Sequence, residues 1–242
     1  MSTDDVADTA PAEPALDPGD GLRLGRPMTR GQRVVYWFTR YVIVAVSKVL
    51  FRVEVVGREN LPKSGACVVA PVHRSNLDTP ILACVTRRRM RFMGKDSLWS
   101  TRFGNWYLTA LGGFPVARGT ADREALRACH AIIDRGEPLV MFPEGTRRFG
   151  ETIGDLFDGP AFVAARAGVP IIPIGVGGSE RVMPKGAKLI RPSKIVLIVG
   201  APIVPPPSTG RVPRRVIREL TGSLQHELQV LFDEAQHRAG VR

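Results

Sequence analysis

Short β-branched runs alternate with helical segments from residue 53 onward, and this alternation restricts the chain to an α/β architecture. Strands are predicted over 53–56, 67–72, 91–93, 138–142, 171–176 and 194–199. Helices are predicted near 79–86, 121–135 and 160–167, the second carrying Leu126, Cys129, Ile132 and Ile133 on one face. A closing helix over about 212–237 sets Ile217, Leu220, Leu224, Leu228 and Leu231 at helical spacing. The pattern predicts one domain with a mixed, largely parallel central sheet flanked by helices.

Two segments precede that domain. Residues 1–20 hold six acids, no base and no aromatic side chain, so residues 1–28 are expected to form a disordered acidic tail. Residues 29–52 follow as a helix. Within it Arg33, Arg40, Ser47 and Lys48 fall in one arc and leave a wide aromatic and aliphatic face. Arg40 would sit well inside the hydrocarbon of a spanning helix, at about 2.5–3.5 kcal/mol. An amphipathic helix at a membrane interface fits better, with Val34, Val35, Trp37, Phe38, Val42, Ile43 and Val49 toward lipid and Arg33, Arg40 and Lys48 at the headgroups. A core helix fits the same pattern. Residues 53–242 form the domain itself.

Apart from residues 1–20, the chain carries 34 bases against 17 acids, and such an excess implies an anionic partner. Nucleic acid, an anionic membrane surface or a phosphorylated substrate would each serve. No aromatic-basic interleaving or nucleic-acid motif supports the first. The apolar fraction of 44% and the mean hydropathy of −0.01 exclude a disordered, collagenous or polytopic membrane chain. Cys67, Cys84 and Cys129 are too scattered for a disulfide framework or structural zinc, which implies a reducing compartment and no metal.

Chemistry concentrates in His73-Arg74-Ser75-Asn76-Leu77-Asp78, directly after an apolar strand. If the intervening backbone folds back, Asp78 can accept from one imidazole nitrogen and leave the other as a general base. Alternatively, Asp78 caps the next helix and His73 is a loop histidine. Further on, Gly112-Gly113-Phe114-Pro115-Val116-Ala117-Arg118-Gly119 reads as a glycine-punctuated loop ending in arginine, ahead of a helix N-terminus. Phe142-Pro143-Glu144-Gly145-Thr146-Arg147 packs acid, hydroxyl and guanidinium into a loop suited to a polyol phosphate. The run 169–174, Val-Pro-Ile-Ile-Pro-Ile, reads as a buried strand.

In this order and spacing, these blocks resemble the glycerolipid acyltransferase family that includes PlsC-type 1-acylglycerol-3-phosphate acyltransferases, over about residues 53–200. His73 and Asp78 match the family's catalytic HxxxxD, Arg118 its second block, and Glu144, Gly145, Thr146 and Arg147 its FPEGTR block. Lys95, in Gly94-Lys95-Asp96, is similar to the family's lysine ahead of the second block. The chain departs from the pattern at Val72, Ala117 and Arg148.

The resemblance implies transfer of an acyl group from acyl-CoA or acyl carrier protein to the free hydroxyl of lysophosphatidic acid, without a resident cofactor. His73 would deprotonate that hydroxyl and Asp78 would hold the imidazole. Lys95, Arg118, Gly119, Glu144, Gly145, Thr146 and Arg147 would bind substrate. The implied location is the cytoplasmic face of the cell membrane, peripheral or monotopic. Glycerol 3-phosphate, another lysophospholipid or a glycolipid remain alternative acceptors, and a non-catalytic basic module that binds polyanions is the alternative of another class. The run Arg87-Arg88-Arg89 with Arg91 reads as a solvated face, or as a lure for lipid headgroups or coenzyme A phosphates.

Overall fold

A computed structural model describes residues 28–116, 123–183, 189–207 and 210–241, so the acidic tail, apart from residue 28, lies outside the described residues. The first element is α1 (Arg30–Leu50). Thr29 starts it with a capping box, its hydroxyl accepting from Gln32 N–H while the Gln32 side chain accepts from Thr29 N–H. Seven strands follow: β1 (Glu54–Val56), β2 (Cys67–Pro71), β3 (Arg91–Lys95), β4 (Gly113–Val116), β5 (Pro138–Val140), β6 (Ile171–Gly177) and β7 (Val196–Val199). Between and after them lie α2 (Asp78–Ile81), α3 (Arg102–Ala110), α4 (Arg123–Ile133), α5 (Gly159–Ala167), α6 (Ser179–Val182) and α7 (Arg214–Arg238).

The strands form one sheet in the order β1-β7-β6-β2-β5-β3-β4. Every pairing is parallel except β6 with β7. Both β2 and β6 are buried along their whole length, as expected for central strands covered on both faces. Alternate side chains divide between two cores. Val68, Ala70, Leu139 and Ile171 meet α4, α5 and α7, whereas Cys67, Val69, Ile172 and Ile174 meet α2 and the 3-10 turn Leu82–Cys84. Helix α7 rests directly on β6, where Gly175 and Gly177 leave no room for a Cβ against the Leu231 and Ala235 backbone.

The mixed, largely parallel sheet expected from the sequence is present, with three additions. Helix α3, strand β4 and the single turn of α6 were not anticipated. In α3, Gly104 and Asn105 interrupt the apolar periodicity, and the start is set instead by Thr101, whose Oγ1 accepts from Gly104 N–H at 3.0 Å. Strand β4 carries Gly113 and Pro115, which read as a loop. It lies at the edge of the sheet, where a proline's missing N–H is tolerated.

Helix α1 corrects the expected placement of two side chains. Its polar arc is divided: Arg33 and Lys48 are exposed, whereas Arg40 and Ser47 are buried, and Arg40 Nη2 donates to Ala83 O at 2.8 Å and Thr86 O at 2.7 Å. Arg40 therefore satisfies carbonyls of a tight turn from a buried position. Ile43, expected toward lipid, lines an internal cavity. The outward face is apolar, with Val34, Phe38, Tyr41, Val42, Val46, Val49 and Leu50 exposed. Among the described residues, no helix is long and apolar enough to cross a membrane.

The close approach of α7 to β6 is open to test. Gly177→Ala should force the helix off the strand and cost about 1–3 kcal/mol, read as a lower urea midpoint at unchanged slope. An unchanged midpoint would show that the contact relaxes freely.

Candidate active site

Parallel pairing sets the carboxyl ends of β2, β5, β3 and β4 side by side along one sheet edge, the position at which open α/β sheets assemble their sites. His73 follows β2 and the Phe142–Arg147 stretch follows β5. Lys95 closes β3, in register with Val116 at the end of β4. Arg118 and Gly119 lie outside the described residues.

His73 and Asp78 meet. The His73 Nδ1 to Asp78 Oδ2 distance is 3.0 Å, and the same oxygen accepts the N–H groups of Arg74 and Ser75 at 2.6 Å each. These contacts require the sharp turn after β2, which folds residues 73–75 back over the start of α2. An ionised carboxylate only accepts, so Nδ1 carries the ring proton and Nε2 is left basic. Asp78 is fully buried, the His73 side chain is 17% exposed, and the ring stacks on Phe142 at 4.0 Å. The carboxylate thus fixes tautomer and orientation together.

Glu144 has a different task from the substrate contact expected of it. It is fully buried, with one oxygen accepting His73 N–H at 3.0 Å and the other paired with Arg74 at 2.6 Å. Arg74 Nη1 also donates to His73 O and Nη2 to Thr152 O, while its guanidinium lies 4.8 Å over the Phe232 ring. Glu144 therefore positions the histidine segment. Gly145 adopts φ 64°, and a side chain there would strike the Phe157 ring. Thr146 is exposed and does not line the cavity described next. Arg147 does line it, with Nη1 donating to Asn76 Oδ1 at 2.5 Å.

A cavity of about 580 Å³ opens beside these groups. His73, Asn76 and Arg147 line it together with Arg40, Thr79 and Arg88, and Met90, Phe92, Trp99, Leu108 and Leu111 form much of its apolar wall. The Trp99 ring lies against two glycines: a Cβ on Gly94 or Gly113 would come within 2.7 or 2.9 Å of it. Its indole N–H donates to Thr109 Oγ1 at 3.3 Å. A base facing an apolar cavity with a guanidinium alongside can deprotonate a hydroxyl, hold an anion and accommodate a long apolar group. Among the described residues, no His, Cys, Asp and Glu cluster is placed to hold a metal. Burial pushes the Cys67 thiol to about 11 and the Cys129 thiol to about 12, so neither supplies a thiolate nucleophile near neutral pH.

The arginine run is mostly not a solvated face. Arg88 donates to Pro62 O, Gly65 O and Gly136 O, and Arg89 to Thr109 O and Ala110 O, with burial lowering the Arg89 pKa to about 10. Arg91 pairs with Glu137. The sequence reading missed Arg74, Asn76, Phe142 and Trp99 as working parts of the site. Arg74 and Asn76 lay inside the HxxxxD block, but spacing alone gave no sign of their partners seventy or more residues away.

Residues 52–177 match the family model described as Acyltransferase. A chloroplastic 1-acyl-sn-glycerol-3-phosphate acyltransferase of Brassica napus is 28% identical over 157 residues, covering 63% of this chain and 45% of its own. The 1-acyl-sn-glycerol-3-phosphate acyltransferase of Bacillus subtilis is 24% identical over 170 residues, covering 70% of this chain and 82% of its own. This chain spans about half the length of the plant and algal relatives it matches. In fold it is similar to the crystal structure of the 1-acyl-sn-glycerophosphate acyltransferase PlsC from Thermotoga maritima, with a TM-score of 0.68 at 24% identity over 84% of this chain and 78% of that one.

Two arginines of the site should separate in a stability measurement. Arg74→Met leaves the Glu144 carboxylate buried and unpaired, and should cost about 3–5 kcal/mol of unfolding free energy. Arg147→Ala, on a partly exposed side chain, should cost under about 1 kcal/mol. Similar denaturation midpoints for both variants would remove the positioning role assigned to the Arg74–Glu144 pair.

Proposed function

Because this chain belongs to the acyltransferase family, we propose that it transfers a fatty acyl group from an acyl thioester to the free hydroxyl of 1-acylglycerol 3-phosphate, forming phosphatidic acid. The observation that carries this reading is the His73–Asp78 contact, which leaves Nε2 as the base of a histidine lining an apolar cavity of about 580 Å³. The names of the Brassica napus and Bacillus subtilis relatives support the acceptor.

In the proposed reaction, His73 Nε2 takes the proton of the acceptor hydroxyl as its oxygen attacks the thioester carbonyl. A C–O bond forms, the C–S bond breaks, and the proton passes to the departing thiolate, so the imidazole returns to its starting state. Asp78 stabilises the transient imidazolium and keeps the ring from turning. No acyl-enzyme is required. Arg147 holds the acceptor phosphate as a charge-assisted partner, with Lys95 and Arg118 assigned to the same group by family resemblance. Gly119 is assigned beside them on the same ground. The apolar wall around Trp99 receives an acyl chain. Acyl-CoA and acyl carrier protein are both suitable donors. The exposed apolar face of α1 supports a peripheral seat in a membrane surface, where lysophosphatidic acid partitions. This reading needs no cofactor.

Thiol release from palmitoyl-coenzyme A, compared with lysophosphatidic acid, glycerol 3-phosphate and no acceptor, tests the reading. Lysophosphatidic acid should give the highest rate, and His73→Ala should lower kcat by about 100-fold to 10,000-fold with donor binding retained. Near-normal turnover by folded His73→Ala would remove the mechanism, and release independent of acceptor would mean thioester hydrolysis.

Chain selection supplies a second test. Trp99→Ala enlarges the cavity, and should shift the ratio of kcat/KM values toward longer acyl donors by roughly 10-fold or more, at about 1–3 kcal/mol of discrimination. An unchanged chain-length profile would place the acyl group elsewhere.

A further inference from the structure

A second cleft, of about 370 Å³, lies between α1 and the turn that carries Ala83 to Arg87, and shares Arg40, Ala83 and Thr86 with the catalytic cavity. Its lining includes Arg40, Lys48, Arg58 and Arg87 and contains no acid. Lys48, Arg58 and Arg87 are exposed, and none makes an ion pair or side-chain hydrogen bond among the described residues. Arg40 is 8% exposed. Its Nη2 is held by two carbonyls, the Tyr36 hydroxyl interacts with it, its guanidinium lies 5.7 Å from the Trp37 ring centroid, and its Nε has no partner. A buried guanidinium lacking a carboxylate and retaining a free N–H is incompletely compensated. Burial raises the Cys84 pKa, while a hydrogen bond with Ser47 and the nearby charges of Arg58, Arg40 and Lys48 act to lower it.

An anion in this cleft would supply the negative charge that Arg40 lacks among its partners. The cleft adjoins a lipid-compatible surface, since Val42, Val46, Val49 and Leu50 of α1 flank Lys48 and are exposed. We propose that the Arg40–Lys48–Arg58–Arg87 cleft binds the headgroup phosphate of an anionic membrane phospholipid and so fixes how the protein sits on the bilayer. This site rests on the interfacial reading of α1 and adds a specific lipid contact to it. It is separate from the acceptor phosphate contact assigned to Arg147.

The test is co-sedimentation of the full chain with phosphatidylcholine vesicles, with and without phosphatidylglycerol. The cleft variant carries Lys48→Gln, Arg58→Gln and Arg87→Gln and leaves the buried Arg40 in place. A control carries Arg211→Gln, Arg214→Gln and Arg218→Gln, exposed bases at the start of α7 on the other face of the sheet. The parent should bind better when phosphatidylglycerol is present. The cleft variant should lose that gain, at about fivefold per charge removed, while the control keeps most of it. Equal losses in both variants would mean diffuse attraction and overturn the site. A raised KM for palmitoyl-coenzyme A in the cleft variant, assayed in detergent, would assign the cleft to the donor's phosphates and also overturn it. A parent that ignores phosphatidylglycerol sinks this proposal alone, and one that sediments with neither vesicle sinks the interfacial reading with it.

Discussion

Arg74 and Glu144 lie almost wholly out of water, and removing two charges from solvent costs several kcal/mol for each ion. The pair offsets that cost through its mutual contact and several further hydrogen bonds, although Arg74 Nε is left without a partner. Glu144 accepts His73 N–H as well as Arg74, and Arg74 reaches His73 O, Thr152 O and the face of Phe232. One guanidinium and one carboxylate therefore connect the end of β2, the loop after β5, the stretch near residue 152 and helix α7. A hydrophobic pair of equal volume would fill the space but would not fix the His73 backbone at both its N–H and its C=O.

The placement of Asp78 follows from that fixed backbone. With residues 73–75 turned back, the N–H groups of Arg74 and Ser75 converge on the Asp78 Oδ2 atom that faces His73 Nδ1. Ser75 secures the turn from the other side, its hydroxyl donating to Met183 O and accepting from Leu77 N–H. The imidazole is held by carboxylate, stacked Phe142 and backbone together, so Nε2 is the ring atom left without an assigned structural partner.

Much of this was legible in the sequence, and what was not has an identifiable physical cause. Apolar runs of β-branched residues announced β2 and β6 because both strands are buried on two faces. The His73–Asp78 pair was readable because its partners lie five residues apart. Glu144 and Arg74 lie 70 residues apart, and local composition does not reveal a long-range ion pair. Glu144 consequently looked like a ligand for substrate. Strand β4 was hidden by Pro115, harmless at a sheet edge, and α3 by a glycine near its start. The arginine run looked solvated because sequence shows charge but not the carbonyls at Pro62, Gly65, Gly136, Thr109 and Ala110 that absorb it.

Helix α1 shows why amphipathicity read from sequence does not fix which face meets the body. Two patterns were open, an interfacial helix with bases outward and an ordinary core helix with its apolar face inward. The structure keeps the first arrangement at Arg33 and Lys48, which are exposed, and departs from it at Arg40. Arg40 and Ser47 point inward because the turn around Ala83 and Thr86 leaves carbonyls that only a donor can satisfy. Val34, Phe38, Val42 and Val49 are thereby directed outward. Burying such side chains stabilises by about 1.5–3 kcal/mol each, so a water-facing α1 would forgo a large term on one helix. Helix α3 packs beside α1, joined through the Thr39 and Tyr107 hydroxyls, and exposes Phe103 and Trp106. The apolar surface therefore extends across two helices. On the proposed reading, lipid covers both of them, and the same bilayer then supplies the hydrophobic cover of the fold and the acceptor for the catalytic cavity.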